Sequence, residues 1–374
     1  MYGAIHFMKI HGISLFIHWT FLLLIGLVIF VNAQQGNNLI QMAWSVLFIL
    51  AVFVCVTLHE FGHALVAAAY GIQAKHILLL PIGGVASIEK FPDNPGQELL
   101  ISMAGPATNL LIAALLWMII QQQAGFTSFF SNTNITEGKY FFLNLYMINI
   151  GLAFFNLIPA FPMDGGRILR ALLAFRLNYL QATSIAAATG RIIAVIFIAL
   201  GIVLVNFILP LIGIFIMLSA NTEEFYLRLK FLVKGIKIKD MAIHDYHVLN
   251  AHMTILEAAD VLKMNYSKYF ILAEGTKPVG SISRIEIMKA LAEKKYSDLL
   301  IETANPEINC LDGEEDVDIE LEQLAGHEDY VYPVVVNNYY IGAINLNQVI
   351  EYLLLHKTDS KQYKRVMSLA GLLR

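Results

Sequence analysis

The sequence predicts an α-helical polytopic membrane domain, with about six transmembrane helices and a strand-containing membrane-associated loop, followed by a cytoplasmic α/β domain. Three observations predict this. Hydrophobic residues make up 57% of the 374 and charged residues 14%, whereas soluble domains are usually about one quarter charged. The charges are unevenly placed, with 14 in the first 222 residues and 40 in the last 152. The charge-poor part also divides into apolar runs near the roughly 20 residues that a helix needs to cross a bilayer core. A wholly soluble protein is excluded. A formal net charge of −4 does not suit a nucleic-acid binder. The expected organisation is a membrane domain over 1–222, a basic linker over 223–238, an α/β domain over 239–356 and a tail over 357–374.

The expected spans are Ile13 to Val31, Ile40 to Tyr70, Leu99 to Ile120, Tyr140 to Ile158, Ala182 to Val205 and Phe207 to Ala220. The last is short. It contains Pro210, read as a mid-helix proline of the kind membranes tolerate, with Asn206 at the turn before it. Six spans put both termini on one side. That side receives Lys9, Lys75, Lys90, Arg167, Arg170, Arg176 and the cluster Arg228, Lys230, Lys234, Lys237 and Lys239, against Lys139 in the opposite loops. Such a bias marks the cytoplasmic side, so a multi-pass protein of the plasma (inner) membrane is expected.

Two stretches do not read as plain spans. Gly71 to Glu98 carries Pro81, Gly83, Gly84 and Pro92 around the β-leaning pieces His76 to Leu80 and Val85 to Ile88. It fits a strand-containing loop at the membrane edge, buried by protein. Pro159 to Arg176, with two prolines and Gly165-Gly166, reads as similarly broken. Cys55 and Cys310 form neither a disulfide framework nor a CxxC pair. With no basic n-region or cleavage site, no removable signal peptide is expected.

The chemistry concentrates in His59-Glu60-Phe61-Gly62-His63, inside the second span. Residues i and i+4 share a helix face, so both imidazoles can bind one metal ion. Glu60, one step away, can take a proton from a water held there. Ionisable groups inside a membrane are costly, and their default reading is functional. Cys55, a turn earlier, reads as packing. Zinc on two histidines needs a third protein ligand and an open position. The first 222 residues hold six acidic residues. Besides Glu60, Glu89, Asp93 and Glu98 lie in the broken loop and Glu137 in an external loop. Asp164 follows the fourth span on the cytoplasmic side, where the second span also ends, and the glycines after it let the backbone approach closely.

HExxH in one span, with Asn156-x-x-Pro159-x-x-Pro162-x-Asp164-Gly165-Gly166 after a later one, resembles the site-2 protease family of intramembrane zinc metalloproteases. Gly83-Gly84, Gly105-Pro106-Ala107-Thr108-Asn109 and Ile17-His18-Trp19 resemble its secondary motifs, and the likeness covers about Gly12 to Ala220. It implies a zinc ion held by His59, His63 and Asp164, with Glu60 as general base and Asn156 placed to steady the tetrahedral intermediate. Asn109 and His18 are read as structural, because an asparagine between membrane helices commonly acts as glue. The likeness also implies a protein substrate that spans, or is tethered to, the lipid bilayer. Part of that substrate must unwind to free its carbonyls, and Gly71 to Glu98 is the candidate to bind it by strand addition.

Beyond the basic linker, Asp240-Met241 reads as extended, before a helix opened by the Thr254-x-x-Glu257 capping box. Tyr269 to Leu272 and Pro278 to Ser283 read as strands and Ile285 to Lys294 as a helix. The order recurs as a helix around Asp318 to Leu324, strands Tyr332 to Val336 and Tyr339 to Ile344, and a helix from Gln348 to Leu355. Gly280-Ser-Ile-Ser283 is echoed by Gly342-Ala-Ile-Asn345, 62 residues later. Two such β-α-β-β-α units resemble a pair of CBS domains, spanning about Ile238 to Leu355. The resemblance implies an adenine nucleotide between the units. The family's polar contacts are only half present, as Ser283 with Glu286 and Asn345 with Asn347. A docking or dimerising module, giving a homodimer, is the alternative.

The joint reading is an intramembrane zinc endopeptidase, cutting in or near transmembrane segments in regulated intramembrane proteolysis, and regulated through the CBS pair. A CBS-regulated channel or transporter would need polar residues along several spans and internal repeats. Here the intramembrane charges gather at one HExxH and one Asp. A non-cleaving binder would most simply have lost Glu60.

Overall fold

A computed structural model describes residues 4–10, 12–72, 74–81, 83–88, 94–123, 138–244, 246–275, 277–304, 310–326, 330–337 and 339–356. Glu89, Asp93, Glu137 and the tail over 357–374 lie outside the described residues. The chain divides into two compact units, Met1–Glu224 and Phe225–Arg374.

The first unit opens with strands β1 (Ala4–Ile10) and β2 (Ile13–His18), then helices α1 (Thr20–Gln34) and α2 (Leu39–Ala69). Strands β3 (Ala74–Leu80) and β4 (Gly83–Ile88) follow. Then come α3 (Pro95–Gln123), α4 (Phe141–Asn156), α5 (Asp164–Ala174), α6 (Tyr179–Val203) and the start of α7 (Ile208–Val233). Helices α2, α3, α6 and α7 are long and apolar enough to cross a membrane, and α1 and α4 are shorter apolar helices. Together they account for the six apolar runs.

The sheet forms in the order β1-β2-β3-β4, with β2 parallel to β3 and the outer pairs antiparallel. Ile13 and Leu15 of β2 and Ile77 and Leu79 of β3 alternate onto one face and pack on Ala64 of α2. This period of two belongs to a half-buried strand. It corrects the first expected span: Ile13 to His18 is sheet, and the helix begins only at Thr20. His18 sits at that join, its Nδ1 2.7 Å from the Thr20 hydroxyl.

Helix α2 starts at an Asn38–Gln41 capping box and is far longer than the roughly 20 residues a bilayer core requires. The stretch read as broken around Asp164 contains α5 instead. Its glycines are packing devices: a Cβ at Gly165 would collide with the carbonyls of Leu157 and Ile158, and one at Gly166 would lie 2.7 Å from Ala160 and Phe161 backbone atoms. Pro210 also differs from expectation. It lies in the first turn of α7, where its missing N–H has no intrahelical acceptor to lose. The Asn206 carboxamide oxygen accepts from the N–H groups of Ile208 and Leu209 there.

The second unit contains a β-α-β-β-α pattern twice. The first repeat has β5 (Val248–Asn250), α9 (Ile255–Met264), β6 (Tyr269–Glu274), β7 (Lys277–Ser283) and α10 (Arg284–Ala292). The second has β8 (Leu311–Asp312), α12 (Val317–Gly326), β9 (Tyr332–Val336), β10 (Tyr339–Ile344) and α13 (Leu346–His356). A short helix precedes each, α8 (Ile238–Met241) and α11 (Leu300–Thr303). Asp240-Met241 is therefore helical rather than extended, with Ile238 and Met241 buried in an apolar core.

Candidate active site

On α2, His59 and His63 stand one turn apart on the face that meets α3, and both are buried. Their Nε2 atoms lie 3.1 Å apart. Asp164, in the first turn of α5, brings Oδ2 to 3.2 Å from each. The other ring nitrogens fix the protons. His63 Nδ1 is 2.7 Å from the carbonyl oxygen of Ile101. A carbonyl can only accept, so that nitrogen carries the hydrogen and Nε2 offers a lone pair. His59 Nδ1 meets the side-chain oxygen of Asn109 at 3.1 Å, with the same consequence.

With both rings neutral, two imidazole lone pairs and a carboxylate converge with no proton between them. That arrangement is stabilised by a cation. Tetrahedral bonds of about 2.0–2.2 Å to N and O ligands would separate the donors by roughly 3.3 Å, close to the spacing found. The donor set fits zinc. The structure thus brings His59, His63 and Asp164 together as one buried cluster able to hold a metal ion.

The cluster lines a cavity of about 440 Å³ that also receives Glu60, Asn109, Asn156 and Arg167. Glu60 leaves α2 toward β4, where a Cβ on Gly84 would come within 2.8 Å of its side chain. Asn156 is the last residue of α4. Of the other acidic residues, Glu98 is buried at the start of α3 and engaged by Arg170, with Oε1 2.7 Å from Nε and 2.5 Å from Nη2.

Sequence reasoning missed how three contributors meet the site, although Gly105 and Asn109 stood out as parts of a secondary motif. Asn109, read as helix glue, faces a ring nitrogen of His59. The Ile101 carbonyl left no side-chain signal at all. It lies next to Ser102, whose carbonyl has no N–H to meet at Pro106. At Gly105, a Cβ would collide with the His63 and His59 Nε2 atoms.

The profile of peptidase family M50 matches residues 47–140 and 132–200, and that of the CBS domain matches 238–293. Over 280 residues the chain is 40% identical to a zinc metalloprotease of Methanocaldococcus jannaschii, covering 75% of this chain and 78% of that one. The chain belongs to peptidase family M50, the site-2 proteases. It is a zinc metalloendopeptidase and an integral membrane protein that carries a CBS domain. Among solved structures, the site-2 protease from Methanocaldococcus jannaschii aligns at 36% identity over 59% of this chain and 95% of that one, with a TM-score of 0.44. A CBS-pair protein from Arabidopsis thaliana aligns at 16% identity over 34% of this chain and 100% of that one, with a TM-score of 0.30. In this site-2 protease the HExxH motif and Asp164 both fall within the residues that match the peptidase profile.

Proposed function

We propose that this site-2 protease hydrolyses peptide bonds in or near the transmembrane segments of membrane-spanning or membrane-tethered proteins, and that His59, His63 and Asp164 hold its zinc. The observation that supports this most is the meeting of three buried candidate donor atoms from α2 and α5 on the cavity that Glu60 also lines. Zinc supplies Lewis acidity there, toward a water and toward the scissile carbonyl. Glu60 takes the water's proton on a carboxylate oxygen and returns it to the leaving amide nitrogen. Asn156 donates a side-chain N–H to the carbonyl oxygen as that oxygen gains charge. Apolar walls from Leu152, Phe155 and Phe215 limit competing water. Strand β4 is an edge of its sheet, and Gly84 leaves space beside Glu60. An unwound substrate segment adds there as a further strand.

The protein is read as multi-pass in the plasma membrane, with both termini and the CBS pair on the cytoplasmic side. The domains are read as 1–222, a linker over 223–238, the pair over 239–356 and a tail over 357–374. The pair is read as the regulatory domain and as the surface for a homodimer. Its ligand is either an adenine nucleotide or a docked protein. Side-chain caps at both polar positions favour the protein. Ser283 exchanges hydrogen bonds with Glu286, and Asn345 does so with Gln348.

Glu60→Gln and Asp164→Ala test the assignment. Glu60→Gln keeps one zinc per chain and loses cleavage of a membrane-tethered substrate by at least about 10²-fold, as expected for a lost general base. Asp164→Ala loses zinc to a chelator that wild-type protein withstands, since a site of two histidines holds zinc poorly. Zinc loss in the first variant, or full zinc in the second, overturns the roles given.

A further inference from the structure

We infer that Asn109 is a positioning residue of the metal site, whose carboxamide oxygen holds His59 in the tautomer that turns an Nε2 lone pair toward His63 and Asp164. This rests on the reading of those three residues as zinc ligands. The two histidines are oriented by unlike means. His63 is held by the backbone carbonyl of Ile101, which no substitution removes. His59 depends on one side chain, the Asn109 oxygen 3.1 Å from Nδ1. Asn109 is fully buried, lines the active-site cavity, and has no hydrogen-bond partner for its Nδ2 among the described residues.

What the acceptor touches, rather than the unpaired donor alone, separates a positioning role from helix glue. Asn144 Nδ2 and Asn149 Oδ1 on α4 are also buried without a partner among the described residues. Asn149 on α4 shows how glue behaves here: its Nδ2 donates to the Leu145 carbonyl at 2.8 Å and toward Cys55 Sγ at 3.3 Å. Asn109 leaves its donor unpaired in a buried place, at a cost, while its acceptor faces the ligand. The reverse orientation would force the His59 proton onto Nε2, among the three donors, where it excludes a cation. Partners of this kind fix the tautomer and ring orientation of a metal-bound imidazole and raise its basicity.

The test uses full-length protein in detergent, with zinc affinity measured by competition against a chelator and apo-protein unfolding recorded beside it. Asn109→Leu keeps the branched shape, at a larger volume, and removes the acceptor, while Asn109→Asp keeps the acceptor and removes the donor. Asn109→Leu should weaken zinc about 10–100-fold with apo unfolding unchanged, and Asn109→Asp should bind as tightly as wild type or more so. Wild-type affinity in Asn109→Leu, or equal weakening in both, overturns the inference. If the leucine variant does not fold, the aspartate variant decides alone: retained affinity supports the role and lost affinity overturns it. Asp164→Ala separates the two readings. Its keeping full affinity sinks the ligand set, whereas its weakening beside an unaffected Asn109→Leu sinks only the role of Asn109.

Discussion

A single methyl group at Gly105 would occupy the space of two proposed ligand atoms, the Nε2 of His59 and of His63. Gly105→Ala should therefore cost zinc affinity at least about tenfold, while the apo helix gains up to about 1 kcal/mol of propensity over glycine. Chelator competition and apo unfolding read these two effects separately, and unchanged affinity would show that α3 yields. His59, Glu60 and His63 were legible because the helical period decides which positions share a face. Asp164 was legible because carboxylates are scarce in an apolar chain. Gly105 and Asn109 were not, since their roles depend on which turn of α3 meets which turn of α2, and no spacing within one helix encodes that.

Helix α5 carries Asp164 at its start, and Arg170 further along it anchors the helix to its neighbours. The guanidinium bonds Glu98 of α3 at 2.5 and 2.7 Å and Glu223 of α7 at 2.6 Å. It also lies 5.1 Å from the Phe161 ring centroid and 5.0 Å from that of Tyr179. Glu98 is 1% exposed and Glu223 35%, so losing the cation harms Glu98 far more. Arg170→Met should destabilise the protein by about 3–5 kcal/mol, the usual cost of a buried charge left alone. Glu98→Gln should cost less, because Arg170 keeps Glu223, and adding Glu98→Leu to Arg170→Met should recover much of the loss. Denaturant unfolding in detergent measures all three, and equal loss in the double variant would sink the argument. The apolar runs gave the long helices correctly because hydropathy reports what lipid accepts. They misplaced the start of α1, where β2 is as apolar as a helix and differs only in period. They also hid α5, whose glycines read as breakers until the backbone they pack against is known.

The 62-residue echo in the second unit reappears in its hydrogen bonds. The Ile238 N–H donates to the Glu315 carbonyl at 3.0 Å, and the Leu300 N–H donates to Met253 at 2.9 Å. Lys239 to Gly313 at 3.1 Å and Ile301 to Ala251 at 3.0 Å repeat the relation. The short helix before each repeat thus closes the other repeat, with α8 in the core of the second and α11 in the core of the first. This exchange was invisible in the sequence, which shows that two units are alike but not which pieces they trade. It bears on ligand choice. A nucleotide between the repeats would draw polar contacts from the ends of β7 and β10, and there the Ser283 and Asn345 side-chain oxygens are already engaged. Ser283 and Glu286 cap α10 reciprocally, and Glu286 also accepts from the Tyr330 hydroxyl at 2.7 Å. Asn345 and Gln348 do the same for α13, and Asn347, the other candidate contact, is exposed. A ribose contact to either oxygen would compete with a cap worth about 1 kcal/mol. Calorimetric titration of AMP and of ATP into full-length protein should therefore give no heat of binding below about millimolar nucleotide, a Kd that corresponds to only about −4 kcal/mol. Cleavage of a tethered substrate should be unchanged by either nucleotide, because a ligand shifts an equilibrium only through differing affinity for its two states. Saturable micromolar binding, weakened by Ser283→Ala or Asn345→Ala, would reverse the choice and make the caps a resting state that the nucleotide opens.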